Sequence, residues 1–226
     1  MASPHQPPAP APDLDWRDER IPVSRRFDDP YFSLAGGLDE TRHVFLTGNG
    51  LPGRFRDGFR IAELGFGTGL NLLAVLLAHR GPGHLHYTSF EAFPMPVPDI
   101  ARALEAFPEV AGVARSFLRQ WETGATVLEF PGLTATIHLG DARETLPVWR
   151  GQADAWFLDG FSPAKNPELW SPDLMTDVAR HTASGGTFAT YTAAGHVRRA
   201  LAQAGFTVSR QPGFGRKRHM STGTLA

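Results

Sequence analysis

Strand-like and helix-like segments alternate regularly from residue 60 to residue 225 of this 226-residue chain. The predicted strands are short apolar or alternating runs at 60–64, 85–90, 133–139, 153–158, 186–192, 206–210 and 218–225. The predicted helices have apolar residues at helical spacing and cover 71–79, 98–122, 169–181 and 195–204. Such an alternation puts parallel strands in one sheet, joined by right-handed crossovers with helices on both faces. We therefore predict an α/β, Rossmann-like fold with a mostly parallel, seven-stranded sheet.

The N-terminal part of the chain does not follow this pattern. Residues 1–13 are rich in Pro and Ala and are predicted to be a disordered lead-in. Residues 14–58 carry aromatic side chains among polar ones, so we expect an N-terminal extension that packs on the core. A short strand is predicted within it at 42–46. Residues 59–226 are then the main domain, with a helical insertion near 95–130.

The composition excludes several kinds of site. The chain has no cysteine, which excludes a disulfide framework, a thiolate nucleophile and a cysteine-based zinc site. His84 and His86 share one face of a predicted strand, but no third ligand accompanies them, so no metal site is predicted. No apolar run approaches the ~20 residues that span a bilayer, and the N-terminus lacks a secretory signal pattern. We therefore expect a cytoplasmic protein without a membrane partner.

Four predicted strands end in glycines or carboxylates, and ligands of such sheets bind beyond the carboxyl ends of the strands. The first strand leads into Glu-Leu-Gly-Phe-Gly-Thr-Gly-Leu-Asn at 63–71, where alternate glycines let the backbone turn sharply beside a ligand. Leu70 departs from the dinucleotide fingerprint Gly-x-Gly-x-x-Gly, and the loop suits S-adenosylmethionine, which has no pyrophosphate. Glu91 ends the second strand, where a carboxylate can accept from both ribose hydroxyls. Asp141 ends the third strand, where it can accept from the adenine amino group.

Together these strand ends predict the class I fold of S-adenosylmethionine-dependent methyltransferases. At each position a plainer interpretation stays open, namely a simple glycine-rich turn or a solvated surface carboxylate. The predicted cofactor-binding residues are Glu63, Gly65, Phe66, Gly67, Thr68, Gly69, Asn71, Glu91, Gly140, Asp141, Ala142 and Asp159.

Asp159 follows the fourth strand and opens the loop Asp-Gly-Phe-Ser-Pro-Ala-Lys-Asn-Pro at 159–167. An amine that accepts a methyl group must be neutral, with its lone pair aimed at the methyl carbon. A carboxylate beside a rigid, proline-bounded loop carbonyl can hold the N–H groups and take the proton. We therefore predict Asp159 as the catalytic residue and Phe161 as a stacking platform for a base. The alternative is that Asp159 only caps the loop and Phe161 packs inside.

The C-terminal part of the chain is basic although the net charge of the whole chain is −1. Residues 178–226 contain no Asp or Glu, against seven Arg and Lys residues. A one-sided distribution of this kind can follow a phosphate backbone, and the alternative is a solvated helix face with a basic tail. The predicted substrate-binding residues are Phe161, Pro163, Lys165, Asn166, Arg198, Arg216, Lys217 and Arg218.

The most specific motif is Trp-Phe-Leu-Asp-Gly-Phe-Ser-Pro-Ala-Lys-Asn-Pro at 156–167, and further motifs lie at 22–33, 37–40, 44–49, 63–71, 89–94, 190–199 and 213–218. In these motifs the chain resembles the methyltransferase domain of the MnmC family, bifunctional proteins of tRNA 5-methylaminomethyl-2-thiouridine biosynthesis, and their standalone counterparts, MnmD. The resemblance implies tRNA as partner and methylation of the aminomethyl nitrogen on its wobble uridine, which gives 5-methylaminomethyluridine with or without a 2-thio group. Nothing in the chain matches the flavin-dependent oxidase domain of the bifunctional proteins. We therefore expect no flavin here, and a separate flavin-dependent oxidase or another modification enzyme as a further partner.

Three other functions stay open on the sequence alone. The first is a methyltransferase for a small-molecule or protein amine, which the near-neutral charge favours. The second is a non-catalytic tRNA-binding module, against which the intact loop at Asp159 argues. The third is an NAD-dependent dehydrogenase, against which Leu70 and the lack of an evident hydride-transfer acid or base argue.

Overall fold

The structure is a computed structural model that describes residues 10–33 and 36–226. Most of the segment predicted to be a disordered lead-in, residues 1–9, therefore lies outside the described residues. Among the helices that the structure describes, none is both long enough and apolar enough to cross a membrane.

The described strands form two sheets. A small antiparallel sheet has the order β1-β2-β3, with β1 at Leu14–Arg17, β2 at Ile21–Ser24 and β3 at Asp29–Pro30. The main sheet contains β4 Arg60–Leu64, β5 Leu85–Glu91, β6 Val127–Phe130, β7 Leu133–Leu139, β8 Ala153–Leu158, β9 Thr182–Thr190, β10 Phe206–Pro212 and β11 His219–Leu225. Its order is β10-β11-β9-β8-β4-β5-β7-β6, parallel from β9 to β7 and antiparallel at both edges.

Helices cover both faces of the main sheet. The α-helices are α1 Gly37–Thr41, α2 Leu70–Ala78, α3 Val97–Leu104, α4 Ala111–Glu122, α5 Ala142–Val148, α6 Pro172–Arg180 and α7 Gly195–Gln203. A π-helical turn at Arg42–Leu46 continues α1, and 3-10 turns occupy Thr47–Asn49, Pro108–Val110 and Pro167–Trp170. The α/β prediction is thus confirmed.

The central strand β8 explains why two hydrophobic cores form. All of its residues are buried, and because side chains alternate across a strand, Phe157 and Trp156 face opposite sides. Phe157 packs in the core under α1 to α4 and the π-helical turn. Trp156 packs in the core under α5 to α7. The apolar run that predicts a central parallel strand is therefore explained by helices on both faces.

Two predictions about this architecture were wrong in detail. The main sheet has eight described strands instead of seven, since Val127–Phe130 pairs antiparallel with the start of β7 across the turn Pro131-Gly132. Its alternating burial marks it as an edge strand at the end of the predicted insertion. The segment Arg42–Leu46 is helical instead of a strand. Val44, Phe45 and Leu46 are all buried, and a short continuous apolar run does not distinguish a buried helix from a strand.

The strand order places the ligand-binding edge. Starting from β4, the chain adds β5 and β7 on one side of the sheet and β8 and β9 on the other. The order therefore reverses between the neighbours β4 and β8, and this is where sheets of this kind leave a crevice. The turns that follow these two strands contain Gly65 and Asp159.

Candidate functional site

A cavity of about 950 Å³ opens at this reversal point. The turns after β4, β5, β7, β8 and β9 line it, together with residues from the 26–33 segment, α1 and the turn between β10 and β11. The predicted site residues that line it are Gly65, Phe66, Gly67, Thr68, Asn71, Glu91, Asp141, Ala142, Asp159, Phe161, Lys165, Asn166, Arg216 and Lys217.

The glycine turn after β4 has a backbone that only glycine adopts without strain. Gly65 has φ +82°, and a Cβ there would lie 3.2 Å from the Cα of Gly160. Gly67 has φ +55°, and a Cβ there would lie 3.2 Å from the ring of Tyr31. The first glycine lets the turns after β4 and β8 approach each other, and the second leaves room beneath Tyr31.

Glu91 ends β5 with its carboxylate held by backbone donors. Its Oε2 accepts from the N–H of Gly67 at 2.8 Å, and its Oε1 accepts from the N–H of Phe93 at 2.7 Å. Burial raises the pKa of Glu91, and these backbone hydrogen bonds oppose the rise. Since each carboxylate oxygen has further lone pairs, the geometry leaves acceptors for a hydroxyl-bearing ligand in the cavity.

Asp159 follows β8 and is held on both carboxylate oxygens. Its Oδ1 accepts from the N–H of Gly160, and its Oδ2 accepts from Nδ2 of Asn71, each at 2.8 Å. Burial raises the pKa of Asp159 to about 6, while these two hydrogen bonds oppose the rise. Near neutral pH it is therefore a carboxylate whose pKa suits it to accept a proton.

Asn71 begins a buried chain of polar groups behind Asp159. Its Nδ2 also donates to Oε1 of Glu63 at 2.8 Å, and its Oδ1 accepts from the hydroxyl of Thr41 at 2.9 Å. Glu63 is completely buried, and its Oε2 lies 2.6 Å from Oγ of Ser89. Burial raises the pKa of Glu63 to about 8, so this carboxyl is mostly neutral at neutral pH.

A group of charged and aromatic side chains beside Asp159 includes two residues, Tyr191 and Glu40, that were not predicted as part of the site. The hydroxyl of Tyr191 donates to the carbonyl of Gly160 at 2.8 Å. The ammonium of Lys217 lies 4.4 Å from the centre of the Tyr191 ring and 2.6 Å from Oε1 of Glu40. Lys217 thus joins the β10–β11 turn to α1 across the cavity. It was predicted to contact substrate, and it already has a carboxylate partner.

Residues 26–33 form another wall that the sequence did not predict. Phe27 stacks on Phe161 with the ring centres 4.7 Å apart, and Tyr31 meets the edge of Phe161 at 5.0 Å. The carboxylate of Asp29 accepts from the N–H of Ser162 at 2.8 Å. No local pattern signals these contacts, because the contacting residues are 130 or more positions apart in the chain.

Several predicted residues are engaged within the protein. Lys165 lines the cavity but forms an ion pair with Asp28 at 2.8 Å. Asp141 caps the N-terminus of α5 and forms an ion pair with Arg143 at 2.6 Å, and this pairing lowers the pKa of Asp141. Six predicted residues do not line the cavity, and these are Glu63, Gly69, Gly140, Pro163, Arg198 and Arg218.

The reasons differ among these six residues. Glu63 lies behind Asn71, and Gly69 faces the ring of Phe117 instead of the cavity. Pro163 is buried within its loop, and Arg218 is exposed beyond the cavity rim. The remaining two are Gly140, which faces Thr145, and Arg198 on α7.

The residues present fit an adenosine-type methyl donor. The glycine turn gives a cradle that a Cβ would fill, and Glu91 offers carboxylate acceptors beside it. No group of three or more possible metal ligands occurs among residues 10–33 and 36–226. The cavity can thus bind a nucleoside on one side and present Asp159 to an acceptor on the other.

Comparisons with known proteins agree with this geometry. MnmC of Hahella chejuensis, a tRNA 5-methylaminomethyl-2-thiouridine biosynthesis bifunctional protein, is 45% identical over 227 residues, covering 94% of this chain and 36% of its own length. MnmC of Pseudomonas aeruginosa is 47% identical, covering 93% of this chain and 34% of its own length. This chain therefore spans about a third of the length of these relatives.

The fold and the family follow from two further comparisons. The crystal structure of MNMC2 from Aquifex aeolicus matches with a TM-score of 0.76 and 26% identity, covering 97% of this chain and 72% of that one. The family model described as S-adenosyl-L-methionine-dependent methyltransferase matches residues 108–226, which is more than half of the chain. The predicted fold and cofactor are thereby confirmed, and the chain belongs to this family of S-adenosyl-L-methionine-dependent methyltransferases.

Proposed function

We propose that this chain transfers a methyl group from S-adenosylmethionine to the aminomethyl nitrogen on the wobble uridine of tRNA. The observation that carries the proposal is Asp159, a carboxylate fixed on both oxygens at the wall of the cavity. The names of the MnmC relatives, which refer to 5-methylaminomethyl-2-thiouridine in tRNA, support the choice of acceptor. The product is then 5-methylaminomethyluridine, with or without a 2-thio group.

When bound, S-adenosylmethionine would supply an electrophilic methyl group on a sulfonium sulfur, which would leave as a neutral thioether when its S–C bond breaks. The amine must meet it with a free lone pair, so its N–H groups have to be held elsewhere. The carboxylate of Asp159 accepts one N–H, and the carbonyl of Gly160, fixed by the hydroxyl of Tyr191, is placed to accept another. As the N–C bond forms, the nitrogen becomes more acidic and its proton passes to Asp159.

The aromatic wall is suited to an unpaired base. Single-stranded nucleotides are commonly recognised by aromatic side chains on which the base stacks. The ring of Phe161 contacts those of Phe27 and Tyr31, and all three residues line the cavity. Phe161 is already stacked on Phe27, so we assign the base-binding role to this cluster as a whole.

The cations at the cavity differ in their availability to phosphate. Arg143, Lys165 and Lys217 form ion pairs with carboxylates of the chain. In the described part of the chain, Arg26 and Arg216 form no ion pair. Both line the cavity, and we assign contact with the tRNA backbone to these two first.

The test is methyl transfer from labelled S-adenosylmethionine to tRNA whose wobble uridine carries a 5-aminomethyl group, followed by nucleoside analysis. We expect labelled 5-methylaminomethyluridine with the wild-type protein. The Asp159→Asn variant should lose ~10²-fold or more in turnover, as is typical for a positioned acid–base group. Asp173→Asn, which changes an exposed carboxyl on α6 outside the cavity, serves as the matched control and should keep full turnover.

Two further substrates make the assay specific. Transfer of label to tRNA with an unmodified wobble uridine would contradict the amine acceptor. Equally fast transfer to the free nucleoside 5-aminomethyluridine would favour a small-molecule methyltransferase over a tRNA enzyme.

A further inference from the structure

Asn71 uses its side-chain amide almost entirely within the protein. Its Nδ2 donates one hydrogen bond to Glu63 and one to Asp159, each at 2.8 Å, and its Oδ1 accepts from the hydroxyl of Thr41 at 2.9 Å. An amide NH₂ group has two hydrogens, and both are thus taken. Although Asn71 lies in the glycine-rich motif and touches the cavity, it has no donor left for a bound cofactor.

The two carboxyls that share Asn71 lie in different surroundings. Asp159 faces the cavity, whereas Glu63 is fully buried and has Ser89 as its other side-chain partner. Asn71 therefore links the carboxylate of Asp159, which faces the cavity, to the carboxyl of Glu63, which a substrate cannot reach.

We propose that Asn71 is a positioning residue for methyl transfer, which holds the carboxylate of Asp159 toward the acceptor amine, and that it does not bind the cofactor. This inference rests on the proposed function for its catalytic consequence only, since the hydrogen bonds themselves do not depend on the acceptor. It reassigns a residue that the sequence motif alone places among the cofactor contacts.

Asn71 also affects the protonation of Asp159. A hydrogen bond donated to a carboxylate favours its charged form, so loss of the Asn71 donor raises the pKa of Asp159 above its value of about 6. The charged and titratable groups that also act on Asp159 stay in place, and these are Glu63 on β4, Tyr87 on β5, Glu40 on α1, Tyr191 after β9 and Lys217 in the β10–β11 turn. The shift can therefore be attributed to the Asn71 donor.

Two variants test this, with one control. Asn71→Leu removes both donors, and Asn71→Ala removes them with a smaller side chain and adds no titratable group. Asn71→Ala covers the case in which the leucine variant does not fold. Ser89→Ala removes the other side-chain partner of Glu63, equally buried but without contact to Asp159, and is the matched control.

The first measurement is a carbon NMR titration of protein with labelled aspartate, in which the Asp159 signal is identified by its loss in Asp159→Asn. The second is the affinity for S-adenosylmethionine by calorimetry, and the third is the pH profile of kcat. In both Asn71 variants we expect the pKa of Asp159 and the acid limb of the profile to move up by about one pH unit. Cofactor affinity should stay at the wild-type value, and Ser89→Ala should show no upward movement of the Asp159 pKa.

An Asp159 pKa that stays at its wild-type value in the Asn71 variants would overturn the proposal. A tenfold loss of cofactor affinity in either variant would overturn it as well, because Asn71 would then belong to the cofactor site. If the wild-type protein transfers no methyl group to tRNA, the proposed function fails, and the NMR titration still decides the role of Asn71.

Discussion

Glu63→Gln tests whether the carboxyl beneath the glycine turn is neutral in the folded protein. Glutamine has the shape of a protonated glutamate, so its carbonyl can accept from Asn71 while its NH₂ group faces the hydroxyl of Ser89. The hydrogen bond from Asn71, at 2.8 Å, is thereby kept, and at the Ser89 contact the glutamine NH₂ group becomes the donor to the hydroxyl, which donates to Glu63 in the wild-type protein. The variant removes the ability to ionise and keeps the shape of the side chain.

The magnitude follows from the pKa of Glu63, which burial raises from 4.5 to about 8. Between these two pH values the unfolded chain loses the proton of Glu63 while the folded protein retains it. The folded state then binds more protons, so the free energy of unfolding falls as the pH rises. One pKa unit corresponds to about 1.4 kcal/mol, so the loss across this interval is on the order of 5 kcal/mol.

The assay is urea unfolding followed by circular dichroism, for both proteins, near pH 4.5 and near pH 8, the two ends of that interval. From the lower to the higher pH, the free energy of unfolding of the wild-type protein should fall by several kcal/mol more than that of Glu63→Gln. Groups that do not interact with Glu63 titrate alike in both proteins, so the difference between them reports Glu63 together with its coupling to Asp159 and Tyr87. If both proteins lose the same free energy of unfolding, Glu63 is ionised in the fold and the reasoning about its burial is wrong.

Three further perturbations address the cavity. Glu91→Gln should weaken binding of S-adenosylmethionine by about tenfold, since a charged acceptor is lost, and an unchanged calorimetric isotherm would remove Glu91 from the cofactor site. Arg26→Ala and Arg216→Ala should each reduce the slope of tRNA affinity against salt concentration, on logarithmic scales, by about one phosphate contact. Arg218→Ala, at an exposed position, should leave this slope unchanged. Equal slopes for all three variants would place Arg26 and Arg216 away from the RNA. Gly65→Ala should lower the free energy of unfolding by about 1–2 kcal/mol because of the positive φ alone, which a lower urea midpoint would show. It should also weaken cofactor binding. A wild-type urea midpoint together with wild-type cofactor binding would contradict the close approach of Gly65 to Gly160.

The sequence predicts those parts of the fold and site that depend on local pattern. Strand-to-helix alternation and the apolar run of β8 suffice for the α/β architecture, because burial on both faces leaves few other choices. The residues at strand ends, such as Gly65, Glu91 and Asp159, could be located because carboxyl ends of parallel strands meet at one edge. The edge strand Val127–Phe130 was missed because it follows two helices and has only two buried apolar side chains.

The rest of the cavity depends on contacts between distant segments. The stacking of Phe27 on Phe161, and the pairing of Glu40 with Lys217, join residues separated by more than 130 positions. No spacing within one element signals such contacts. The same holds for Asn71, whose motif suggests a ligand contact but whose donors turn inward to two carboxyls that only the folded sheet brings together.

The narrow gap between Gly65 and Gly160 has a consequence for how acceptor choice can change. The two turns approach each other through main-chain atoms, so in the proposed reaction the sheet itself sets the distance between a methyl donor on the first turn and a nucleophile beside the second. The groups that surround the nucleophile, by contrast, come from α1, the 26–33 segment and the β10–β11 turn. Exchange of these outer segments would change which acceptor molecule can enter the cavity, while the distance from the methyl donor to the nucleophile would stay the same.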